Sequence, residues 1–407
     1  MIINIFFYIL FLPVFVYCAL AVFYVFFFAV VAKLGRKKKA VDDTGRKPDK
    51  RIAVLVPAYK EDQIIKSTAE NLLRLDYPAA LYRIYIIADS FEQTTISHLR
   101  QLNDRLTVLP VSFDKSTKTK SLNKAFEQIT ELFDIALICD ADNMLAHDFL
   151  KRIDAAFSNG ARAVQGRRVA KNLDSSFAVL DACSEGVNNN IFRKGPYLIG
   201  MSSAVIGSGM AFEFSALKDI LGKISAVGGF DKILQLRIVE SGIRIHYLEG
   251  ALVFDEKVSN SGAFEGQRQR WVSSQFQYLR RFFASSFSQL FRGNISYFNL
   301  AFLNNIILPR AILVLLLVLT AVSGFFWSIY WGVAGLALLV VYIGSLFLAI
   351  PGELFNKELF RAFYKLPRAI IIMVGTLFHI RKANKTFIHT VHTKTEVSST
   401  LYDEKEK

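Results

Sequence analysis

The stretch Ile135-Ala136-Leu137-Ile138-Cys139-Asp140-Ala141-Asp142 decides the fold. Five apolar residues run into two carboxylates, as in a buried strand that aims oxygen ligands past its carboxyl edge. Open α/β sheets bind their ligands at that edge. Hard oxygen donors suit Mg2+ or Mn2+, and such ions share their coordination with substrate phosphates. The pair points to a divalent metal holding a diphosphate. An ordinary turn or helix cap is the structural alternative for an Asp-rich strand end.

Similar β-branched-rich apolar runs flank this one at residues 51–57, 82–88, 106–111 and 161–166. Amphipathic stretches at 62–75, 93–103 and 120–132 separate them. The alternation predicts a mostly parallel sheet covered by helices. Residues 202–258 carry Gly-rich turns and further strands, so this later part reads as mixed. No internal repeat or low-complexity tract interrupts the pattern.

Further out, the chain turns apolar. Of its 407 residues, 52% are hydrophobic, and the mean hydropathy is +0.32. Residues 2–32 are nearly free of charge; residues 311–350 form a second block broken by Gly324 and the cluster Phe325, Phe326, Trp327, Tyr330 and Trp331. A bilayer span needs roughly 20 apolar residues. The first block holds one span and the second two, with the aromatics at the interface between them. A cleaved signal peptide does not fit, because no basic residue precedes the first run and the run is too long. Lys33, Arg36, Lys37, Lys38 and Lys39 follow the first span, which places that side, the central region and the basic residues Arg381, Lys382 and Lys385 in the cytoplasm. The net charge of +14 is then attraction to anionic lipid, not to nucleic acid. Cys18, Cys139 and Cys183 have neither metal-ligand nor disulfide spacing, as expected of a reducing compartment.

This yields a division into 1–34, a transmembrane helix; 35–50, a basic linker; 51–274, a catalytic-type α/β domain; 275–296, an interfacial helix; 297–350, two transmembrane helices; 351–395, interfacial or re-entrant helices; and 396–407, a disordered tail. The interfacial assignment rests on Phe276, Leu279, Phe283, Phe287, Leu290 and Phe291 at helical spacing, with Arg280, Arg281, Ser285, Ser288 and Arg292 between them. His246 lies in an apolar run and reads as a core residue. His389 and His392 have no third ligand nearby and do not read as a metal site.

Four more sites join the Asp pair. Val56-Pro57-Ala58-Tyr59-Lys60-Glu61 closes the first strand; Tyr59 offers a ring to stack on a base and Glu61 an acceptor for a ribose, unless the segment is only a strand stop and helix turn. Asp89 closes the next strand, as an acceptor for a base N–H or as a helix N-cap. Gly228-Gly229-Phe230-Asp231 places a carboxylate at a helix start. Gln267, Arg270 and Trp271 fall on one helix face, an amide, guanidinium and indole suited to phosphate and sugar.

This order resembles the family 2 membrane glycosyltransferases, the processive cellulose, hyaluronan and chitin synthase group, over the whole central region. The Val-Pro-Ala-Tyr-Lys-Glu string looks like that family's nucleotide-binding strand end. Asp89 stands at its uracil-contacting aspartate, and Asp140 and Asp142 match its metal-binding Asp-any-Asp. Lys118-Thr119-Lys120-Ser121-Leu122-Asn123 resembles the lysine segment near the nucleotide. Gly207-Ser208-Gly209 resembles the acceptor-side loop, and Gln267, Arg270 and Trp271 match Gln-any-any-Arg-Trp. One departure stands out: the family has Glu-Asp where this chain has Phe230-Asp231.

The resemblance implies a GT-A fold, α/β and mostly parallel, on about three transmembrane helices with an interfacial amphipathic helix. It implies inverting transfer from a nucleotide-diphosphate sugar, taken as a UDP-sugar, with Mg2+ or Mn2+. Asp231 is then the base. Asp142 and Asp140 hold the metal. Tyr59, Glu61, Asp89, Lys120, Asp140, Gln267 and Arg270 hold the donor, and Gly209 and Trp271 contact the acceptor. The expected acceptor is a growing glycan at the cytoplasmic face, with an export partner subunit or a homo-oligomer as further partner; the alternative is a single transfer to a membrane lipid. A transporter is excluded by about 240 mostly polar residues between the apolar blocks. A catalytically dead sensor is the remaining competitor, carried by Phe230.

Overall fold

The computed structural model describes residues 7–35, 45–224, 229–257, 261–365 and 394–398, and for residues 261–270 the backbone alone. The chain enters through a π turn at Phe7–Phe11 into helix α1 (Leu12–Leu34). The central region then runs β1 (Ile52–Tyr59), α2 (Ile65–Leu73), β2 (Tyr82–Asp89), α3 (Gln93–Leu102), β3 (Leu106–Val111), α4 (Lys118–Gln128), β4 (Ile135–Ile138), β5 (Met144–Leu145), α5 (Phe149–Ser158), β6 (Ala163–Ala170) and α6 (Ser176–Asn188). It continues through β7 (Met210–Glu213), α7 (Phe214–Leu221), α8 (Phe230–Glu240), β8 (Ile245–Asp255) and α9 (Ser261–Phe291). Helices α10 (Arg310–Trp327), α11 (Ile329–Ala349) and α12 (Lys357–Phe363) follow.

The strands form one sheet in the order β3-β2-β1-β4-β7-β6-β8-β5. β1 to β4 are parallel, as the alternating pattern requires. β7 is antiparallel to both β4 and β6, while β6 and β8 are parallel, so the later half is mixed. Successive residues of β1 point to opposite faces. Ile52, Val54 and Val56 pack with α2, α3 and α5; Ala53 and Leu55 pack with α4, α7 and α8. A strand covered on both faces reads as a continuous apolar run, which is why β1 and β4 stand out in the sequence.

The described residues include three helices long and apolar enough to cross a membrane: Phe7–Leu34, Arg310–Trp327 and Ile329–Ala349. Only Ser328 separates the last two. Close packing of this hairpin depends on small residues, since a side chain at Gly335 would strike Ala321. At the hairpin turn Trp331 packs edge-on against Phe15, 4.9 Å between centroids, and also meets Phe7 and Phe11. A third core cluster joins α1, α6, α10, α11 and α12 to the α/β domain.

Two expected boundaries shift. The division at 274/275 falls inside α9, one 31-residue helix, because no Gly or Pro between Gln267 and Phe291 breaks it. Residues 394–398, which overlap the expected disordered tail, are tied to the end of β6. Ser398 N–H donates to the Lys171 carbonyl at 3.0 Å, Lys171 Nζ donates to the Lys394 carbonyl at 2.6 Å, and Lys394 pairs with Asp174 at 2.7 Å. The clusters at Arg36–Lys39 and Arg381–Lys385, most of the expected 351–395 region, and His389 and His392 lie outside the described residues.

Candidate active site

The strand order reverses between β1 and β4: the chain winds outward through β2 and β3 and then returns to β1's other side. Crevices at such switch points hold ligands in open α/β sheets. Tyr59 ends β1 here, Asp89 ends β2 in register with it, and Asp140 follows β4.

Asp89 is 1% exposed. Its Oδ1 accepts from the Ser90 hydroxyl at 2.9 Å, and its Oδ2 is buried with no partner among the described residues. An unsatisfied buried acceptor costs about 1–3 kcal/mol. A ligand N–H would relieve that cost. The two residues just beyond these strand ends, Lys60 (φ 56°) and Ser90 (φ 59°), are left-handed although neither is glycine. Such backbones cost on the order of 1–3 kcal/mol each and cluster at ligand sites. Lys60 N–H donates to the Asp89 carbonyl at 3.1 Å, and Glu92 N–H donates to Asp62 Oδ1 at 3.0 Å, tying the two loops together. Tyr59 is half-buried, with Lys60 Nζ 5.3 Å from its ring centroid. Glu61 is also half-buried, and its carbonyl opens the next helical turn by accepting from Ile64 and Ile65.

Asp140 and Asp142 are both half-buried at the mouth of the crevice. Because β7 runs antiparallel to β4 with Met210 opposite Ile138, the Gly207-Ser208-Gly209 loop comes alongside Asp140. Asp140 N–H donates to Ser208 Oγ at 2.9 Å. Gly209 has φ 59° and abuts Val253, where a side chain would collide, so the loop requires glycine on both counts. Lys118 Nζ pairs with the Asp140 carboxylate and donates to the Gly207 carbonyl at 2.7 Å. It also lies 5.5 Å from the Phe230 ring. Lys171 Nζ, fully buried, donates to the Asp142 carbonyl at 3.0 Å. Burial pushes the Cys139 thiol upward, with Asp140 and Asp142 adding to the effect, so this cysteine is an inert packing residue.

Asp231 sits in the first turn of α8, where a negative charge favours the helix dipole. Gly229 caps that helix in the left-handed region, φ 58°, and its carbonyl accepts from Tyr278 of α9 at 3.0 Å. Burial raises the Tyr278 hydroxyl to about 12, and the charge of Asp231 contributes. Phe230, which stands where the related family has glutamate, is 6% exposed and belongs to the core. Its ring is a wall against Lys118, linking the start of α8 to the Asp140 side of the crevice. Gly228 lies outside the described residues.

Lys120 stands apart from the Asp pair: its Nζ donates to the Lys115 carbonyl at 2.9 Å in an exposed position, while Lys118 pairs with Asp140. Two residues apart on a helix, they point to different sides, so only one faces the crevice. Gln267 lies on α9 one turn before Trp271 and Arg270 immediately before it, but their side chains are outside the described residues. Trp271 is 40% exposed. His246 is half-buried beside Tyr197, and burial pushes its pKa down.

Among the described residues no cluster of three or more His, Cys, Asp or Glu is arranged to hold a metal. Two carboxylates near each other, one facing a lysine cation, are a donor set that suits an ion which completes its shell with phosphate and water. Mg2+ or Mn2+ fits these residues.

Sequence reasoning missed a buried ionic cluster behind the site. Glu185 of α6 accepts from Arg168 of β6 at 3.1 Å and from Arg193 at 2.8 Å. Asp255 of β8 pairs with Lys257 at 2.7 Å and with Arg168 at 3.6 Å, and accepts from Asn143, next to Asp142, at 3.2 Å. The sequence signal was available: Arg167-Arg168 sits inside a strand whose other residues, Gln165 apart, are small or apolar.

Residues 48–274 match the sequence model of Glycosyltransferase like family 2. The chain is 26% identical over 229 residues to the beta-monoglucosyldiacylglycerol synthase of Trichormus variabilis, covering 56% of this chain and 49% of that protein. It is 21% identical over 257 residues to a probable glycosyltransferase of Bacillus subtilis, covering 60% of each. The chain spans about half the length of the monoglucosyldiacylglycerol synthases it matches. Among solved structures, a mannosyltransferase from Pyrobaculum calidifontis in complex with GDP-Man and Mn2+ superposes with a TM-score of 0.55 at 18% identity. That match covers 91% of this chain and 100% of the other, and it is a likeness of fold.

Proposed function

This chain belongs to glycosyltransferase-like family 2, and from that premise we propose that it is an inverting glycosyltransferase moving a sugar from a nucleotide-diphosphate donor to a membrane lipid. The observation that carries the donor half is Asp89. Its Oδ2 is buried and has no partner among the described residues, at the same carboxyl edge of the sheet where Asp140 and Asp142 follow β4. The lipid half draws on the monoglucosyldiacylglycerol synthases among the relatives and on three helices fit to cross a bilayer.

In this reading Asp89 Oδ2 accepts from the base, uracil by the resemblance, and Tyr59 stacks on it. Glu61 hydrogen-bonds the ribose. Asp140 and Asp142 would hold Mg2+ or Mn2+, which supplies electrostatic stabilisation of the leaving diphosphate when bound. Lys118 turns from Asp140 towards the phosphates, and by the resemblance Gln267 and Arg270 are donor-binding residues. Asp231 takes the acceptor hydroxyl's proton as that oxygen attacks the anomeric carbon. The bond to the diphosphate breaks on the opposite side, and the configuration inverts. Gly209 and Trp271 bound the acceptor. The sheet, α9 and the three spans would act as catalytic domain, interfacial helix and anchor, with the catalytic side in the cytoplasm.

A second reading, elongation of a glycan, is favoured by the Gln267, Arg270 and Trp271 spacing. It would call for an export partner or a homo-oligomer. Product size separates the two: incubation with UDP-sugars and diacylglycerol gives a single glycolipid under the first and a ladder under the second. Absence of any glycosylated product with the full donor panel would overturn both.

A further inference from the structure

We propose that a cavity of about 180 Å3 between α1, α6, α9, α10 and α11 is the headgroup site for a neutral, hydroxyl-bearing membrane lipid, which it presents towards Asp231. The proposal rests on the transfer reading above and names where its acceptor binds.

The cavity has two kinds of wall. Tyr342 and Leu346 come from α11, one of the candidate membrane spans. Ser184 and Asn188 come from α6, and Trp271 and Gln275 from α9. A glycerolipid has this same division, an acyl stem that belongs with span residues and a hydroxyl that needs hydrogen-bonding groups. The polar wall is held in place. Arg310, the first residue of α10, donates through Nη1 to the Ser184 hydroxyl at 2.9 Å and through Nη2 to Asn188. Gln275 donates to the carbonyls of Asn305 and Ile307 at 3.0 and 2.6 Å.

The lining favours a neutral headgroup. Its polar members are hydroxyl, amide and indole groups plus one guanidinium with both Nη atoms already bonded to neutral oxygens. Its volume lies below the ~300–1,000 Å3 of sites for drug-sized ligands, so it takes a headgroup and not an oligosaccharide. Helix α9 connects the cavity lining to the start of α8. Trp271 lies two turns before Tyr278 on α9, roughly 10 Å at ~1.5 Å per residue. Tyr278 holds the Gly229 carbonyl at the start of the helix that carries Asp231.

The test uses the full chain in nanodiscs with a photoreactive diacylglycerol. Labelling is expected on α6, α9 and α11, reduced at least tenfold by unlabelled diacylglycerol and by Leu346→Trp, which fills the cavity. Leu346→Phe, a smaller filling, reduces it less, and both variants bind UDP-sugar as wild type does, which shows that they fold. Labelling elsewhere, labelling insensitive to Leu346→Trp, or stronger competition by a polyprenyl phosphate overturns the proposal. Because photolabelling needs no turnover, cavity labelling without sugar transfer supports the lipid site while removing the transfer reading.

Discussion

At the scale of single residues, the account turns on how Asp231, Asp89 and Lys118 divide the work. Removing a positioned general base typically slows a reaction about 10²–10⁴-fold. Asp231→Asn is therefore expected to lower the transfer rate by that factor while leaving the UDP-sugar dissociation constant within about twofold; calorimetry beside a rate assay checks both. A hydrogen bond to a charged group is worth about 1.5–3 kcal/mol, so Asp89→Ala is expected to weaken donor binding roughly 10- to 100-fold. Lys118 and Lys120 give a sharper contrast. Lys118→Ala removes the cation beside Asp140 and is expected to depress transfer at least tenfold, whereas Lys120→Ala stays within about twofold; equal losses would contradict the assignment. Asp89, Asp140 and Asp142 were legible in the sequence because each follows an apolar run, and the sheet's parallel order does the rest. That Lys118, and not Lys120, lies beside Asp140 was not legible. It depends on where α4 begins, and helix ends are poorly fixed by pattern alone.

At the scale of elements, the ionic cluster ties α6 to the sheet. Burial alone would raise the Glu185 pKa, but Arg168 and Arg193 outweigh it and hold the carboxyl well below the usual range. A depressed folded pKa means that the stabilisation is present above the ordinary value near 4.5 and is lost as pH falls through the folded value. Glu185→Gln leaves Arg193 buried without its carboxylate and is expected to cost about 3–5 kcal/mol. Thermal unfolding in detergent should show the loss at pH 7, and the gap to wild type should narrow under strong acid. A gap that does not narrow would place the cluster's contribution in packing instead of charge. The β–α rhythm of residues 52–138 was readable because strands covered on both faces read as continuous apolar runs, while the helices between them bury one face at helical period. The parallel pairing of β6 with β8 was not, since distant tertiary contacts set that register. Nor was the continuity of α9, where a change from domain to interface composition reads as a boundary although the helix does not break.

At the scale of the whole molecule, an α/β sheet packs against three apolar helices, and a headgroup-sized cavity lies where α9 meets them. This arrangement is what the proposed transfer at a membrane surface draws on. It predicts that a chelator in excess abolishes transfer, that Mg2+ or Mn2+ restores it, and that Asp140→Asn with Asp142→Asn lowers the response to added metal; full activity in chelator would remove the metal role. The most direct test of the central claim is product analysis of the purified chain in nanodiscs containing diacylglycerol, supplied with Mn2+ and a panel of nucleotide-diphosphate sugars. The account predicts stoichiometric release of nucleoside diphosphate and one glycolipid of inverted anomeric configuration, both absent with Asp231→Asn. Retained configuration, or an undiminished yield from Asp231→Asn, would contradict it.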